Sequence, residues 1–573
     1  MSAPAEAVRN RDHAAALTGA LIAGGVRHAV LSPGSRNTPV VLALHALAQT
    51  DADLTLHSVL DERSAAFFAL GLARASGAPT LLSCTSGSAG AHYLPALIEA
   101  AHAHVPLLAL TADRPPELQG RGAPQTIDQR SLFGVHVRAS LKLSAPDGEL
   151  DAVRAAAAHA LAVATGAAPG PVHINLPYRE PLWHRDAPAK VDRPAVATRP
   201  HQVPAIADEA LANLVERLEG AARGLVVWGP DPDPELDATP ILALAAHLGW
   251  PVLAAPTSPA RFRSQRPATT ITTHDAFLRD SELARSLAPD LVLQLGGTPS
   301  SRALRALVGQ APDVVAVDPR GVWRDPEHSL QTLLSVDPGP LAQALMDALP
   351  ARTPGPWLQA WMDQETHAAT ALDRACQAGF WSGAIIRTLL NSLPEGSLLH
   401  TASSMPIRDL DTFGRPGARP FLAHASRGVN GIDGTLATGL GLARAWNRGP
   451  TAVLLGDLAF LHDQGSLMLA RQVQRPVTAI VVDNHGGGIF AGLPIAEHPD
   501  AFEPWFLTPQ VADIPALCAA AGVRCSAIQT TAALADALPI ALETPGLSVL
   551  HLRIDGADDL ARHRAAWTAA QTR

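Results

Sequence analysis

Lysine is nearly absent from this chain of 573 residues, in which Lys142 and Lys190 are the only two. Neither lies in a G-x-x-x-x-G-K-[ST] loop, so the sequence excludes a P-loop nucleotidase. Neither lies in a recognisable site pattern, which argues against a mechanism built on a lysine Schiff base. Arginine carries most of the positive charge, so any anionic ligand is expected to be held by local arginine clusters.

Cysteine is also scarce, long apolar runs are missing from the sequence, and the net charge is negative. The four cysteines show no C-x-x-C spacing and are too few for a disulfide framework, which favours a reduced cytosolic protein. No apolar run reaches the roughly 18 residues of a transmembrane helix, and the N-terminus does not resemble a secretory signal. A net charge of −9 gives no general attraction to nucleic acid or to an anionic membrane surface. We therefore expect a cytoplasmic protein that binds neither nucleic acid nor membrane.

Short apolar runs alternate with Ala/Leu-rich helical patterns along the whole chain. This alternation predicts an α/β fold with mainly parallel sheets, and a typical size of about 150 residues per domain suggests three or four domains. Two Pro-rich stretches without a period, 184–204 and 350–357, divide the chain into predicted domains 1–185, 200–350 and 360–573. We expect each domain to be doubly wound, with ligands at the carboxyl ends of its strands.

One strand–helix–strand pattern, 452–490, ends both of its strands in residues that suit a metal ion. The first apolar run ends at Gly456 and Asp457, a helix is predicted around 464–474, and the second run ends at Asn484 before three glycines. A carboxylate, an amide oxygen and a glycine carbonyl suit Mg²⁺, which completes its shell with phosphate oxygens and water. The pattern resembles the thiamine diphosphate motif, with GDL in place of GDG and DN in place of NN. An ordinary strand–helix–strand unit with a Gly-rich turn is the alternative interpretation.

Thiamine diphosphate catalysis also requires a carboxylic acid beside the aminopyrimidine ring, and the stretch "VLDERSAAFFALGLARASG" contains a candidate. Glu62 follows an apolar run and begins a predicted helix in which Ala66, Phe67, Leu70 and Ala73 share one face. Apolar surroundings would keep a proton available on this acid. The alternative is an exposed first-turn acid that the helix dipole favours.

Arginines and a few uncharged residues recur at the predicted strand–loop junctions. They are Ser35, Arg36, Arg114, Gln125, Arg302, Ser404, Arg408, Arg427 and Ile432. Guanidinium groups bind carboxylates bidentately, so five arginines on separate loops indicate substrates with several carboxylates. For any single arginine, a surface ion pair is the alternative interpretation.

Eight motifs, read in order, resemble one family, with five in the first predicted domain and three in the third. They are "SPGSR" followed by "TP", "DERSAAFFALGLA", "TADRPPEL", "DQRSLFG", "GPVHINLPYREPL", "RGVNGIDG", "GDLAFLHD" and "GGGIF". Together they resemble the 2-succinyl-5-enolpyruvyl-6-hydroxy-3-cyclohexene-1-carboxylate synthases of menaquinone biosynthesis, which are thiamine diphosphate-dependent transferases. The GDL triplet, unusual in the general motif, is typical of this family.

The resemblance implies decarboxylation of 2-oxoglutarate and 1,4-addition of the resulting succinic semialdehyde carbanion to isochorismate. It implies that Glu62 activates the cofactor and that Asp457, Asn484 and Gly486 hold Mg²⁺, which Mn²⁺ could replace. Gly456, Ser404 and Ile432 would contact thiamine diphosphate. The substrate-binding set would comprise Ser35, Arg36, Arg114, Gln125, Arg302, Arg408, Arg427, Ile489, Phe490 and Leu493. By the same analogy the protein is at least a homodimer, because Glu62 would meet the metal site of a partner subunit.

The chain departs from the family pattern at three of these places. "TASS" stands where Gly-Asn-Ser is usual before "MPIRD", Arg302 stands where lysine is common, and "ASRG" replaces Asn-Arg-Gly. None of these changes removes a cation or a metal ligand. The alternative functions are another thiamine enzyme, such as an acetolactate synthase or a 2-oxo acid decarboxylase, and an inert binding protein on the same fold. Asp483 and His485 have no predicted role.

Overall fold

Three six-stranded parallel sheets organise the chain in a computed structural model that describes residues 4–192, 194, 203–233, 235–263, 267 and 269–571. The predicted break at 184–204 lies partly outside the described residues. The break at 350–357 falls between helices that end at Ala348 and begin at Pro356. Each sheet has helices between its strands, so the α/β, doubly wound prediction is confirmed, and every strand pair is parallel.

The first sheet has the strand order β2-β1-β3-β4-β6-β5. Its strands are β1 His28–Leu31, β2 Thr55–Ser58, β3 Thr80–Cys84, β4 Leu107–Asp113, β5 Ala139–Lys142 and β6 Val172–Pro177. Its helices are α1 Ala5–Ala23, α2 Thr38–Ala48, α3 Glu62–Ser76, α4 Leu94–Ala103 and α5 Leu150–Ala164. The apolar run of β4 is buried at every position, as expected for a strand covered on both faces.

The second sheet has the order β12-β11-β10-β7-β8-β9. Its strands are β7 Gly224–Trp228, β8 Val252–Ala254, β9 Thr270–Ile271, β10 Leu291–Leu295, β11 Asp313–Val317 and β12 Thr332–Leu334. The accompanying helices are α6 Asp208–Gly220, α7 Thr239–Leu248, α8 His274–Phe277, α9 Ser281–Ser286, α10 Arg302–Val308 and α11 Pro338–Ala348.

The third sheet has the order β14-β13-β15-β16-β18-β17. Its strands are β13 Leu398–Thr401, β14 Leu422–Ala425, β15 Thr451–Gly456, β16 Pro476–Asp483, β17 Arg524–Ile528 and β18 Gly546–Arg553. The helices of this part are α12 Pro356–Ala375, α13 Ser382–Ser392, α14 Met405–Phe413, α15 Thr435–Ala445, α16 Asp457–His462, α17 Pro499–Phe502, α18 Ile514–Ala520, α19 Thr531–Glu543 and α20 Gly556–Gln571. Between β15 and β16 the predicted helix around 464–474 is a 3-10 helix over Gln464–Gln472 that follows α16.

The chain forms two compact units, and segments of the last third of the sequence contribute to both. The first unit comprises Met1–His201, Ser426–Asn447 and His462–Arg475, and therefore holds the first sheet and α15. The second comprises Gln202–Ala425, Arg448–Leu461 and Pro476–Arg573, with the second and third sheets. Within the first unit, α15 packs along α3 at Gly71 and Gly441.

A buried ionic cluster joins three helices of the second unit around His563, which is 1% exposed. Its Nε2–H donates to Asp409 of α14 at 2.8 Å, and its Nδ1–H donates to the Asp559 carbonyl at 2.8 Å. The Asp559 carboxylate accepts the Ser382 N–H at the start of α13 at 2.8 Å. Burial opposes the charging of the imidazole, but the attraction of Asp409, with smaller effects from Asp559, raises the pKa of His563 to about 9.

This cluster predicts a pH dependence of stability. Between 6.5, the ordinary pKa of histidine, and about 9, the folded protein holds a proton on His563 that the unfolded chain releases. The unfolding free energy should therefore fall as pH rises through this window, by at most about 1.4 kcal/mol per pH unit from this one group. His563→Gln should remove that contribution, as measured by urea unfolding followed by tryptophan fluorescence at several pH values. The exposed His92→Gln is the control, and equal pH slopes in wild type and His563→Gln would contradict the prediction.

Candidate functional site

The metal-binding candidates lie at the carboxyl ends of two neighbouring strands. β15 and β16 pair in parallel, with Gly456 opposite Val482, so Asp457 and Asn484 leave the sheet at the same edge, as predicted. Asp457 begins α16 and is 4% exposed. The backbone N–H groups of Leu458 and Gly486 lie close enough to its carboxyl group to oppose, in part, the rise in pKa that burial causes. The structure therefore brings Asp457, Asn484 and Gly486 together within the second unit.

The three glycines after Asn484 are explained by close backbone packing. A Cβ atom on Gly486, whose φ is +132°, would lie 2.1 Å from the Leu507 carbonyl oxygen. A Cβ on Gly487 would lie 2.4 Å from the Phe506 carbonyl oxygen, and one on Gly488 would lie 2.3 Å from Nδ2 of Asn484. Any side chain would therefore displace either the turn or the Asn484 amide.

Asp483, which has no role predicted from the sequence, stabilises this turn. Its Oδ1 accepts the His485 N–H at 3.1 Å, and its Oδ2 accepts the Nε2–H of His551 on β18 at 2.8 Å. His485 adopts a left-handed conformation with φ of +62°, which redirects the backbone toward Gly486. Sequence reasoning misses His551 because it lies 68 residues away and reaches the site only through the pairing of β16 with β18.

Electrostatics at this edge favour a bound cation. Burial, with a further contribution from the nearby Asp483, raises the pKa of Asp457 to about 7. Burial also opposes the ionisation of Asp483, but the hydrogen bonds from His551 and the His485 N–H outweigh it and lower the pKa of Asp483 to about 2. A carboxylate whose charge is opposed by burial and by a neighbouring anion is stabilised by a divalent cation.

The donor set fits Mg²⁺ with thiamine diphosphate. Among the described residues, no group of three His, Cys, Asp or Glu side chains is arranged to hold a metal. One carboxylate, one amide and one backbone carbonyl form instead the sparse set of oxygen ligands that Mg²⁺ accepts when phosphate oxygens and water complete its shell. A cavity beside the strand edge is lined by Gly456 and Asn484 together with Met405, Pro406 and Ile385.

Ser404 and Arg408 lie near this cavity, at the start of α14. Ser404 precedes the helix with a positive φ of 70°, which is strained for a residue with a side chain. Arg408 is exposed and donates to the Ser404 carbonyl at 2.6 Å.

The predicted apolar wall follows the three glycines. Ile489 and Phe490 lie in a 3-10 helix and Leu493 comes just after it, and the Phe490 ring makes an edge contact with Phe506. Arg302 is exposed at the first turn of α10 in the same unit.

Glu62 lies in the first unit as the first residue of α3 and is half-buried. Asp61 caps this helix by accepting the Arg63 N–H at 3.0 Å. Arg63 in turn donates to the His462 carbonyl at 2.8 Å, which ties the start of α3 to the segment that follows α16. The helix that the sequence predicts after Glu62 is therefore present, with its first turn held in place by long-range contacts.

Four of the predicted substrate-binding residues cluster at the carboxyl ends of β1 and β4 in the first unit. Arg114 donates to the Ser86 hydroxyl at 3.0 Å, and Gln125 donates to the Ser86 carbonyl at 3.1 Å. Ser86, which follows β3 and is 1% exposed, thus links two residues that sequence reasoning treated separately. Arg36 is 5% exposed and donates to Glu180 at 2.8 Å, whereas the adjacent Ser35 is exposed. Burial, with a smaller effect from the charge of Arg114, lowers the pKa of Arg36.

Arg427 and Ile432 lie on the loop that precedes α15, and both are half-buried. The Ile432 carbonyl accepts the Thr435 hydroxyl at 2.9 Å. This loop belongs to the first unit with Glu62.

No helix in the described part of the chain is long and apolar enough to cross a membrane.

Two segments of the chain match known thiamine enzyme families. Residues 11–132 match the family described as thiamine pyrophosphate enzyme, N-terminal TPP binding domain. Residues 412–552 match its counterpart, the C-terminal TPP binding domain. A solved structure of the Rhodococcus jostii RHA1 thiamine diphosphate-dependent 4-hydroxybenzoylformate decarboxylase superposes with a TM-score of 0.71 at 19% identity. It covers 95% of this chain and 99% of its own, and it supports the thiamine diphosphate-binding fold.

Whole-chain relatives give a more specific result. Proteins named 2-succinyl-5-enolpyruvyl-6-hydroxy-3-cyclohexene-1-carboxylate synthase are similar to this chain in several bacteria. The Chloroflexus aurantiacus protein is 40% identical, covering 96% of this chain and 95% of its own. The Myxococcus xanthus protein is 41% identical, and the match covers 96% of this chain and 95% of that protein. The Geobacillus kaustophilus protein is 38% identical, and the match covers 97% of both chains. The chain therefore belongs to the 2-succinyl-5-enolpyruvyl-6-hydroxy-3-cyclohexene-1-carboxylate synthase family of thiamine diphosphate-dependent transferases.

Proposed function

We propose that this protein decarboxylates 2-oxoglutarate and transfers the resulting four-carbon unit to isochorismate by 1,4-addition. The product would be 2-succinyl-5-enolpyruvyl-6-hydroxy-3-cyclohexene-1-carboxylate, an intermediate of menaquinone biosynthesis. The observation that carries the proposal is the near full-length similarity to relatives named for this product. We further propose a cytoplasmic homodimer or tetramer built from three domains, 1–185, 200–350 and 360–573.

Asp457, Asn484 and the Gly486 carbonyl would hold Mg²⁺, with Mn²⁺ as a substitute. Gly456, Ser404 and Ile432 would contact the cofactor, which supplies, when bound, the means of stabilising negative charge on the carbon that loses CO₂. The proximity of Asp457 to the Gly486 N–H and the tight turn after Asn484 support this assignment. The role of the protein here is to orient the diphosphate and to neutralise its charge.

Glu62 would hold a proton at the aminopyrimidine ring of thiamine diphosphate bound to a partner subunit. Its place at the start of a capped helix suits this role, because the carboxyl group is held on a rigid element rather than on a mobile loop. Asp61 and Arg63, on either side, are both engaged in hydrogen bonds that restrain the first turn.

The arginines would bind the carboxylates of the two substrates. In the first unit, Ser35, Arg36, Arg114, Gln125 and Arg427 would contribute, with Arg114 and Gln125 already placed by Ser86. In the second unit, Arg302 and Arg408 would contribute, and Ile489, Phe490 and Leu493 would form an apolar wall. Such a wall excludes water, which strengthens charge–charge contacts and protects the reactive carbon.

The proposed function predicts CO₂ release from 2-oxoglutarate that requires thiamine diphosphate, a divalent cation and isochorismate for full turnover. The measurement is CO₂ release together with disappearance of isochorismate absorbance, with each component omitted in turn. Pyruvate replaces 2-oxoglutarate in a parallel reaction. A preference for pyruvate would favour an acetolactate synthase, and no turnover with every component present would favour an inert protein.

Glu62→Gln should lower kcat by at least about 100-fold, because an amide cannot hold the proton that general acid–base catalysis requires. The midpoint of thermal unfolding should change little, since the two side chains have the same shape. The matched control is Glu209→Gln, which makes the same change in the first turn of α6. Near-normal rates in Glu62→Gln would remove this residue from the catalytic role.

Arg408→Ala and Arg427→Ala should each raise the KM for one of the substrates by at least about tenfold, because a hydrogen bond to a charged group contributes about 1.5–3 kcal/mol. The Kd for thiamine diphosphate, followed by quenching of tryptophan fluorescence, should change far less. Arg130→Ala serves as the control, because Arg130 is exposed and pairs with Asp128. Unchanged substrate kinetics in both test variants would exclude these arginines from the substrate site.

A further inference from the structure

Glu99 is a buried acid that none of the roles above uses. It lies on α4 and is 3% exposed. Its Oε1 accepts the Gly428 N–H and its Oε2 accepts the Val429 N–H, both at 2.8 Å. Both oxygens of one carboxylate thus hold two consecutive backbone amides from a loop more than 300 residues further along the chain. A buried carboxylate is costly unless such donors satisfy it, so the contact is a strong constraint on the loop.

The loop lies directly against the helix at this point. A Cβ atom on Gly428 would lie 2.7 Å from the Glu99 carbonyl oxygen and 2.9 Å from the Ala103 nitrogen. Only glycine therefore lets the backbone come close enough for Glu99 to reach both amides. The neighbouring Asn430 has a φ of +63°, so the chain turns sharply after the contact.

The residues on either side of this contact are those assigned to substrate and cofactor. Arg427 immediately precedes Gly428, and its charge, like that of Arg74, lies close enough to stabilise the Glu99 carboxylate. Downstream, Ile432 leads into α15, which packs against α3, the helix that begins at Glu62. Glu99 thus fixes one end of the loop, and the packing of α15 on α3 fixes the other.

We propose that Glu99 is a positioning residue for Arg427. By holding the Gly428 and Val429 amides, it sets the direction in which the Arg427 side chain leaves the backbone, and thereby the geometry with which that guanidinium meets a substrate carboxylate. The inference rests on the proposed substrate-binding role of Arg427. It adds a residue that acts on Arg427 through the backbone of the loop and through the attraction between the two charges.

The test variant is Glu99→Gln, which keeps the shape of the side chain but replaces one acceptor oxygen with an NH₂ group that faces an N–H. The chain offers a control in Glu365, another buried acid, whose Oε2 accepts the Thr272 and Thr273 N–H groups at 3.0 and 2.9 Å in the second unit. Glu365 also accepts the two threonine hydroxyls and pairs with Arg415, so Glu365→Gln makes the same chemical change to a buried acid that holds backbone amides, at a place that carries none of the assigned residues.

Two readouts are compared in the full-length protein. Hydrogen exchange of peptides covering 426–431, followed by mass spectrometry, should be at least about tenfold faster in Glu99→Gln than in wild type or Glu365→Gln. The KM for the substrate that Arg427→Ala affects should rise at least about fivefold in Glu99→Gln, with a smaller change in kcat, because positioning of a binding group acts on uniform binding. In an Arg427→Ala background, Glu99→Gln should add less than about a twofold change.

Specific outcomes would overturn the proposal. Unchanged exchange at 426–431 in Glu99→Gln would show that the contact does not restrain the loop. Faster exchange with an unchanged KM, or fully additive effects of Glu99→Gln and Arg427→Ala, would show that Glu99 does not act through Arg427. Failure of the proposed function is distinguishable, because wild-type protein would then lack turnover of 2-oxoglutarate and isochorismate while the exchange experiment still measures the Glu99 contact.

Discussion

Parallel strand pairing is the constraint on which the rest of this structure depends. In a parallel sheet, every strand delivers its carboxyl end to the same edge, so residues far apart in sequence leave the sheet side by side. The pairing of β15 with β16 is the clearest case, because it places Asp457 next to the turn that contains Asn484 and Gly486. The pairing of β3 and β4 does the same in the first sheet, where Ser86 and Arg114 meet after neighbouring strands.

A second level of organisation comes from helices and loops of the last third of the chain that fold onto the first unit. The packing of α15 on α3 and the hold of Glu99 on Gly428 and Val429 surround one loop. A loop that carries binding residues is normally the least ordered part of a fold. Here it is restrained at both ends, which gives Arg427 and Ile432 a defined orientation relative to α3 and hence to Glu62.

At the edge of the third sheet, contacts within the protein rather than solvent stabilise the charged carboxylates. Asp457 and Asp483 are both buried, and two nearby carboxylates without compensation would be strongly unfavourable. His551 and the His485 amide satisfy Asp483, whereas burial and the nearby Asp483 oppose the charge of Asp457, which a bound cation would stabilise. The departure from the usual NN pair, with Asp at 483, is thus accommodated by a histidine on the adjacent strand.

Much of the fold and part of the site were predictable from sequence because they depend on local patterns. Apolar runs of strand length alternate with helical patterns, and this alternation alone indicates parallel α/β sheets. The strand ends at Gly456 and Asp483 follow from where the apolar runs stop. The predicted helix around 464–474 is present as a 3-10 helix over Gln464–Gln472 after the short α16, and local composition does not distinguish a 3-10 helix from an α-helix.

The sequence by itself determined which residues have the chemistry proposed for binding metal, diphosphate and carboxylates, because side-chain identity and the glycine run are local features of the chain. Only the tertiary structure decided which buried groups support them. Ser86, His551 and Glu99 act on residues that lie 28 to more than 300 positions away. A local sequence pattern cannot predict such partners, because they meet only after strands pair and helices pack. The physical reason is that a buried hydrogen bond depends on where the chain returns in space, not on the residues beside it.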